Sequence, residues 1–123
     1  MKKGAPVGKD ENLLRRVYKK DKRYRDPKTG RPTSRAFVPR PKDNGKLSVD
    51  IEKLTTPERA VLDPHKFLLY RFSCKIVYAL GLTCTYDPID TGQYTNHAYA
   101  LITGFDKNDE SVPAILARKA KQV

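Results

Sequence analysis

The chain has 123 residues, of which 38% are hydrophobic and 32% are charged, and its formal net charge is +11. This length accommodates one domain with one hydrophobic core, and no apolar run approaches the ~20 residues that a membrane-spanning helix needs. The lysines at the start are not followed by an apolar stretch, so no secretory signal is predicted. A cytoplasmic protein without a membrane partner is expected.

The excess of positive charge lies in the N-terminal third of the chain. Residues 1–46 contain 16 Lys or Arg against 5 Asp or Glu, whereas residues 47–123 contain 9 of each. Such asymmetry is typical of a segment that binds a polyanion, and nucleic acid is a common polyanion in cells. A solvated, partly disordered tail is the alternative interpretation of the same charges.

The first elements in chain order are weakly defined. Glycine and proline among the lysines predict a mobile basic tail over residues 1–12, with a single globular domain over 13–123. Residues 13–18 fit both a helical stripe of apolar side chains and a short alternating strand, and the two alternatives stay open.

Residues 19–46 are predicted to form a basic exposed loop. Prolines and glycines interrupt this segment without any periodicity, and Pro39 and Pro41 suit an edge or an extended arm because proline cannot donate to a central ladder. Asn44 and Gly45 mark a tight turn at its end.

The clearest alternation of the chain occupies residues 47–52. Leu, Val and Ile fall on one face, and Asp50 and Glu52 fall on the other. This pattern predicts a half-buried strand whose polar face meets solvent. The spacing of Thr55 and Glu58 matches a capping box and predicts a short helix after the strand.

The second half of the chain contains shorter signals. We predict a strand over 67–72, a short helix capped by Ser73 and closed by Gly81, and a strand over 82–86. Residues 87–96 are predicted to form a loop.

Two further elements complete the prediction. Residues 97–103 alternate with apolar residues on both faces, which suits an inner strand, and residues 109–123 carry acids at the start and Arg118 and Lys119 near the end of a helix. The sequence therefore predicts an α+β fold: a single small domain with a mostly antiparallel sheet, a short helix, a C-terminal helix and a basic N-terminal arm.

The residues best suited to bind a soft metal are widely spaced. His65, Cys74, Cys84 and His97 lie more than four residues from one another, whereas zinc sites usually present their ligands in close pairs. We therefore expect no metal and no cofactor. Cys74 and Cys84 are interpreted as small buried hydrophobic residues that stay reduced.

His97 is the one candidate for catalysis. As a general base assisted by Tyr94, Asn96, Tyr99 or a nearby arginine, it would supply the parts of a metal-independent ribonuclease. The competing interpretation is that His97 only begins a strand and bonds to a loop carbonyl, since a lone histidine is weak support for catalysis.

The basic segment supplies the candidate nucleic-acid-binding residues. Its arginines suit phosphate contact, and its interleaved aromatic residues, including Tyr18, Tyr24 and Phe37, offer surfaces on which unpaired bases can stack. The predicted binding residues are Arg15, Arg16, Lys19, Lys20, Arg23, Tyr24, Arg25, Arg31, Arg35 and Arg40.

These features favour a protein that binds the backbone of RNA or DNA, as a possible small subunit of a nucleoprotein assembly with other protein subunits. The first alternative is a metal-independent ribonuclease or toxin-like enzyme that uses His97. The second is an interaction module that docks its basic segment on an acidic protein.

Four short signatures also occur in a characteristic order along the chain. They are LLRRV at 13–17, TSRAF at 33–37, LSVD at 47–50 and HAYALITG at 97–104. In this succession the chain resembles a group of small uncharacterised bacterial proteins, in which proline often precedes the histidine where this chain has Asn96. The resemblance implies a bacterial-type globular domain and supplies no catalytic residues.

Overall fold

Eight strands and three α-helices follow one another along the chain, and the computed structural model describes all of residues 1–123. The strands are β1 (Asn12–Tyr18), β2 (Leu47–Ile51), β3 (Phe67–Ser73), β4 (Thr83–Tyr86), β5 (Ile89–Asp90), β6 (Thr95–Asn96), β7 (Tyr99–Thr103) and β8 (Lys121–Gln122). The α-helices are α1 (Pro57–Ala60), α2 (Cys74–Ala79) and α3 (Ser111–Lys119). Short 3-10 turns span Ser34–Phe37, Pro41–Asp43 and Glu52–Leu54.

Six of the strands form one antiparallel sheet in the order β4, β7, β2, β1, β3, β8, while β5 and β6 form a separate hairpin. This architecture confirms the predicted α+β fold. The region that the sequence left open between helix and strand is β1, which pairs with β3 along its whole length. The pairing with β3 satisfies the backbone N–H and C=O groups of this segment, whereas an isolated helix of this length would be only marginally stable.

One face of the sheet carries the main hydrophobic core. The 3-10 turn Ser34–Phe37 and helix α3 cover it and contact each other. Phe37 is fully buried, and its ring meets that of Phe72 edge-on with centroids 5.6 Å apart. Burying a phenylalanine contributes about 2–3 kcal/mol. The segment predicted as an exposed loop over 19–46 is therefore anchored to the sheet at its middle.

The N-terminal segment lies along β4 in place of the expected mobile tail. The backbone N–H groups of Gly4 and Val7 donate to the carbonyls of Tyr86 and Cys84, at 2.7 and 2.9 Å. The Val7 side chain is 1% exposed and belongs to the main core. Sequence reasoning missed this segment because one buried valine among lysines has no periodicity.

The helices follow their predicted signals closely. The side chain of Thr56, one residue later than the predicted cap, accepts a hydrogen bond from the Arg59 N–H at 3.3 Å and begins α1. Ser73 caps α2 as predicted by accepting from the Lys75 N–H at 3.1 Å, and Gly81 follows the helix with a φ of +80°. Only glycine adopts that conformation without strain.

Two details of the second half differ from the sequence-based expectation. The predicted loop over 87–96 contains the small β5–β6 hairpin, and the chain continues past α3 into β8, which pairs with β3. These two-residue strands are too short to leave a periodic signal. None of the helices is long and apolar enough to cross a membrane.

The docked N-terminal segment predicts a measurable cost for truncating its one buried side chain. Val7→Ala is expected to lower the free energy of unfolding by about 2 kcal/mol, since it removes two carbon atoms from a packed site. Denaturant unfolding measures this change. Val123→Ala is the matched control because Val123 is 44% exposed, and equal effects of the two variants would contradict the docking.

Candidate nucleic-acid interface

A groove opens where β1 separates from β2. The two strands pair only at Leu13 with Ile51 and at Leu14 with Asp50, although β1 continues to Tyr18. The segment that follows the Ser34–Phe37 turn lies over the gap, and the enclosed volume is about 580 Å³. The groove is lined by five arginines and three aromatic residues: Arg15, Arg16, Arg23, Arg35, Arg40, Tyr18, Tyr24 and Phe67.

Arg15 lies in the floor of the groove with neutral partners only. Its Nε donates to the Ala36 carbonyl at 3.1 Å, and its Nη1 donates to the Ser48 carbonyl and hydroxyl at 2.8 and 3.1 Å. Burial, followed by the nearby charges of Arg16 and Arg40, lowers the pKa of Arg15 to about 10. The side chain therefore remains charged at neutral pH, and no carboxylate is paired with it.

Arg16, the next residue of β1, is compensated by a buried carboxylate. Its Nη1 lies 3.3 Å from Asp50 Oδ2 and donates to the Ala60 carbonyl at 2.8 Å. Asp50 also accepts from Asn96 Nδ2 at 2.8 Å and is 3% exposed. The prediction that Asp50 faces solvent is wrong, because α1 and its neighbours cover this face of β2.

The remaining groove arginines lie at the surface. Arg23 makes two hydrogen bonds to the Asp21 carboxylate, and these bonds lower the pKa of Asp21. The Nε atom of Arg40 lies 3.1 Å from Oδ2 of Asp43. Arg35 is exposed and takes part in none of the ion pairs of the chain.

Exposed apolar side chains border the same groove. Tyr18, Val38 and Leu62 are 43%, 44% and 54% exposed, and they account for three of the seven large hydrophobic residues that the protein exposes. The Tyr18 ring lies between Tyr24 and Phe67, with centroid distances of 5.4 and 4.9 Å. An aromatic surface beside clustered arginines is the composition of a site for unpaired bases.

Leu62 also holds an unfavourable backbone conformation. Its φ is +61°, in the left-handed region that a bulky residue rarely adopts. Such strain persists where the surrounding structure imposes it and is frequent at binding sites. Leu62 directly follows Val61, the C-cap of α1, where a helix commonly takes one left-handed residue. The sequence offered no signal for it because that residue is usually glycine or asparagine.

A second, open hollow of about 650 Å³ adjoins the groove and shares Tyr18 and Asp21 with it. Three lysines and a histidine complete its lining: Lys20, Lys22, Lys66 and His65. Positive charge thus continues beyond the groove, and Lys66 extends it outside the segment that carries the sequence's excess charge. Lys66 lies beside that segment because β1 pairs with β3 along its whole length and the Lys19 N–H donates to the Lys66 carbonyl at 2.8 Å.

Two of the predicted binding arginines are engaged elsewhere. Arg25 donates through Nε to the Tyr70 hydroxyl at 3.1 Å, and that hydroxyl donates to the Gly30 carbonyl at 2.7 Å. Arg31 donates to the Arg118 carbonyl at 2.5 Å, near the end of α3. Both side chains tie the 19–46 segment to the domain and line neither the groove nor the hollow.

Of the other predicted residues, Tyr24 and Lys20 line the concavities and Lys19 does not. Tyr24 lines the groove, and Arg23 lies 5.5 Å from its ring centroid. Lys20 lines the hollow, whereas Lys19 donates to the Pro64 carbonyl at 2.9 Å and holds the two loops together.

His97 lies in an exposed turn before β7, outside both concavities. Its backbone carbonyl accepts a hydrogen bond from the Tyr86 hydroxyl at 2.6 Å. Its neighbour Asn96 donates a hydrogen bond to Asp50, and Asp50 in turn pairs with Arg16 of the groove. The His97 imidazole itself does not line the groove. No group of three His, Cys, Asp or Glu side chains is placed to hold a metal ion.

The buried Asp50 carboxylate predicts a large loss of stability on truncation. Asp50→Ala removes the carboxylate that pairs with Arg16 and accepts from Asn96, and we expect the free energy of unfolding to fall by about 3 kcal/mol, as for other broken buried ion pairs. Chemical denaturation measures the loss. Glu58→Ala removes an exposed carboxylate and should change stability by less than about 0.5 kcal/mol. A similarly small effect at Asp50 would refute the buried network.

An arginine that supports the fold and an arginine of the groove surface should respond differently to truncation. Arg25→Ala is expected to lower the unfolding free energy by about 1–2 kcal/mol, because it removes the bond to Tyr70. Arg35→Ala should leave stability within about 0.5 kcal/mol. Thermal unfolding followed by circular dichroism compares them, and an equally stable Arg25→Ala protein would show that Arg25 has no structural role.

Comparison with known proteins provides no relative from which a role can be transferred. No family model matches the chain, and no curated protein or solved structure matches it. The geometry, charge and exposed side chains of the groove are therefore the grounds for a functional proposal.

Proposed function

We propose that the protein binds the phosphate backbone of a nucleic acid through the groove between β1 and β2. The observation that carries the proposal is the convergence of five arginines and an exposed aromatic surface on one concavity. Arginine suits phosphate because its planar donors match the phosphate oxygens. The affinity would come mainly from release of condensed counterions, with little reading of base sequence.

The charge balance within the groove supports an anionic ligand. Arg16, Arg23 and Arg40 have carboxylate partners, whereas Arg15 and Arg35 have none. Like charges in a partly buried groove repel one another: the pKa of Arg15 is lowered first by burial and then by the charges of Arg16 and Arg40. A bound phosphate would relieve this repulsion, which favours the anion over water as the occupant.

The two alternatives differ in how the geometry bears on them. A ribonuclease that uses His97 needs the imidazole near a bound phosphodiester, and His97 lines neither the groove nor the hollow. An acidic protein partner would satisfy the arginines, and the exposed Tyr18, Val38 and Leu62 also suit a protein interface, so competition between RNA and an acidic polypeptide separates this alternative.

The proposal predicts salt-sensitive binding that depends on the surface arginines. The double variant Arg23→Gln with Arg35→Gln should weaken binding of a labelled 12-nucleotide RNA and reduce the slope of log K against log salt by about 1.4, at about 0.7 per phosphate contact. Fluorescence anisotropy at several salt concentrations measures both quantities. The control, Lys107→Gln with Lys119→Gln, removes two exposed charges outside the groove and should reduce the slope little.

Two results would overturn the proposal. One is the lack of salt-sensitive binding to single-stranded RNA, single-stranded DNA and duplex DNA alike. The other is displacement of the RNA by polyglutamate as effectively as by unlabelled RNA, which would identify an acidic protein surface as the partner.

A further inference from the structure

We infer that the groove is an anchoring site for one phosphate of a single-stranded nucleic acid, with Arg15 as the phosphate ligand and the Tyr18–Leu62 rim as the base platform. This inference rests on the proposed function and specifies its ligand. Single-stranded nucleic acid is distinguished from a duplex because only unpaired bases expose their faces for stacking.

The orientation of Arg15 makes it a fixed phosphate ligand. Three neutral acceptors hold Nε and Nη1, so the guanidinium cannot rotate without losing hydrogen bonds. Nη2 makes no hydrogen bond in the protein, and since every fully buried side-chain nitrogen or oxygen is hydrogen-bonded, Nη2 keeps some exposure. Arg15 lines the groove, and a fixed, charged donor that is still exposed at a partly buried groove is a preorganised anion site.

Comparison with its neighbour Arg16 shows that Arg15 lacks the carboxylate partner that the fold provides for Arg16. Both residues belong to the middle of β1 and line the groove, but only Arg16 has a buried carboxylate within 3.3 Å. The fold thus neutralises one of two adjacent arginines and leaves the other available. Arg35 and Arg40 line the same groove and can add charge around a phosphate that Arg15 holds.

The Tyr18–Leu62 rim favours a single-stranded nucleic acid as the ligand. Tyr18 lies three residues after Arg15, about 10 Å along β1 and on the opposite side of the strand, and both side chains line the groove where β2 no longer pairs with β1. Tyr18 and Leu62 are among the most exposed large hydrophobic residues of the protein, and Leu62 keeps a strained backbone while facing solvent. Burial against a base would supply the apolar contact that this exposed position lacks in the unbound protein.

The test compares Arg15→Lys with Arg118→Lys, which both retain the positive charge. Binding to a 12-nucleotide oligouridylate is expected to weaken about tenfold in Arg15→Lys, because a fixed charge-assisted hydrogen bond is lost. Arg118→Lys should change the Kd by less than about twofold, because Arg118 is exposed and lines neither the groove nor the hollow. Thermal unfolding establishes that both variants are folded.

A second measurement uses the unaltered protein, so a folding defect in Arg15→Lys cannot obscure the result. Hexauridylates that carry one uncharged methylphosphonate linkage are compared, with that linkage moved along the strand. An anchored phosphate predicts that one position costs about tenfold in affinity and that the others cost much less. A 12-base-pair RNA duplex should bind more weakly than the single strand of the same length.

The outcomes separate this inference from the proposed function. Equal losses at all linkage positions, or equal Kd values for folded Arg15→Lys and Arg118→Lys, overturn the anchored phosphate while general nucleic-acid binding stands. Equal or tighter binding of the duplex overturns the base platform. Failure to bind any RNA or DNA overturns the proposed function together with the inference.

Discussion

The early separation of β1 from β2 is the constraint on which the candidate interface depends. β1 stays paired with β3 along its whole length, but it pairs with β2 at two positions only. Beyond them the Arg15 guanidinium spans the gap and donates to the Ser48 carbonyl. A charged side chain can therefore occupy the middle of a sheet, because main-chain acceptors replace the water that it loses.

The same strand gives its two adjacent arginines different environments. Neighbouring residues of a strand point to opposite sides, so Arg15 reaches the Ala36 carbonyl above the core face while Arg16 reaches Ala60 at the end of α1. Asp50 lies on the side of Arg16 and compensates its charge. Net charge counts both residues equally, yet only one of them has an uncompensated charge to offer a ligand.

The surface of the groove combines features that stability alone does not favour. Clustered arginines repel one another and Leu62 has a left-handed backbone conformation, and both features cost stability. Exposed apolar side chains lie beside them in the same concavity. Such a coincidence is typical of binding sites, where local structure departs from the arrangement that is best for folding.

The sequence by itself determined the fold class, the strands β2, β3 and β7, the Ser73 cap of α2 and the accumulation of positive charge before residue 47. These features are local: alternation, capping residues and composition are readable without knowing what packs against them. The tertiary structure alone decided that Val7 enters the core, that Asp50 is buried, and that Arg25 and Arg31 support the fold while Arg15 and Arg35 face the groove. The physical reason is that the role of a charged side chain depends on which acceptors surround it, and those acceptors come from segments distant in sequence.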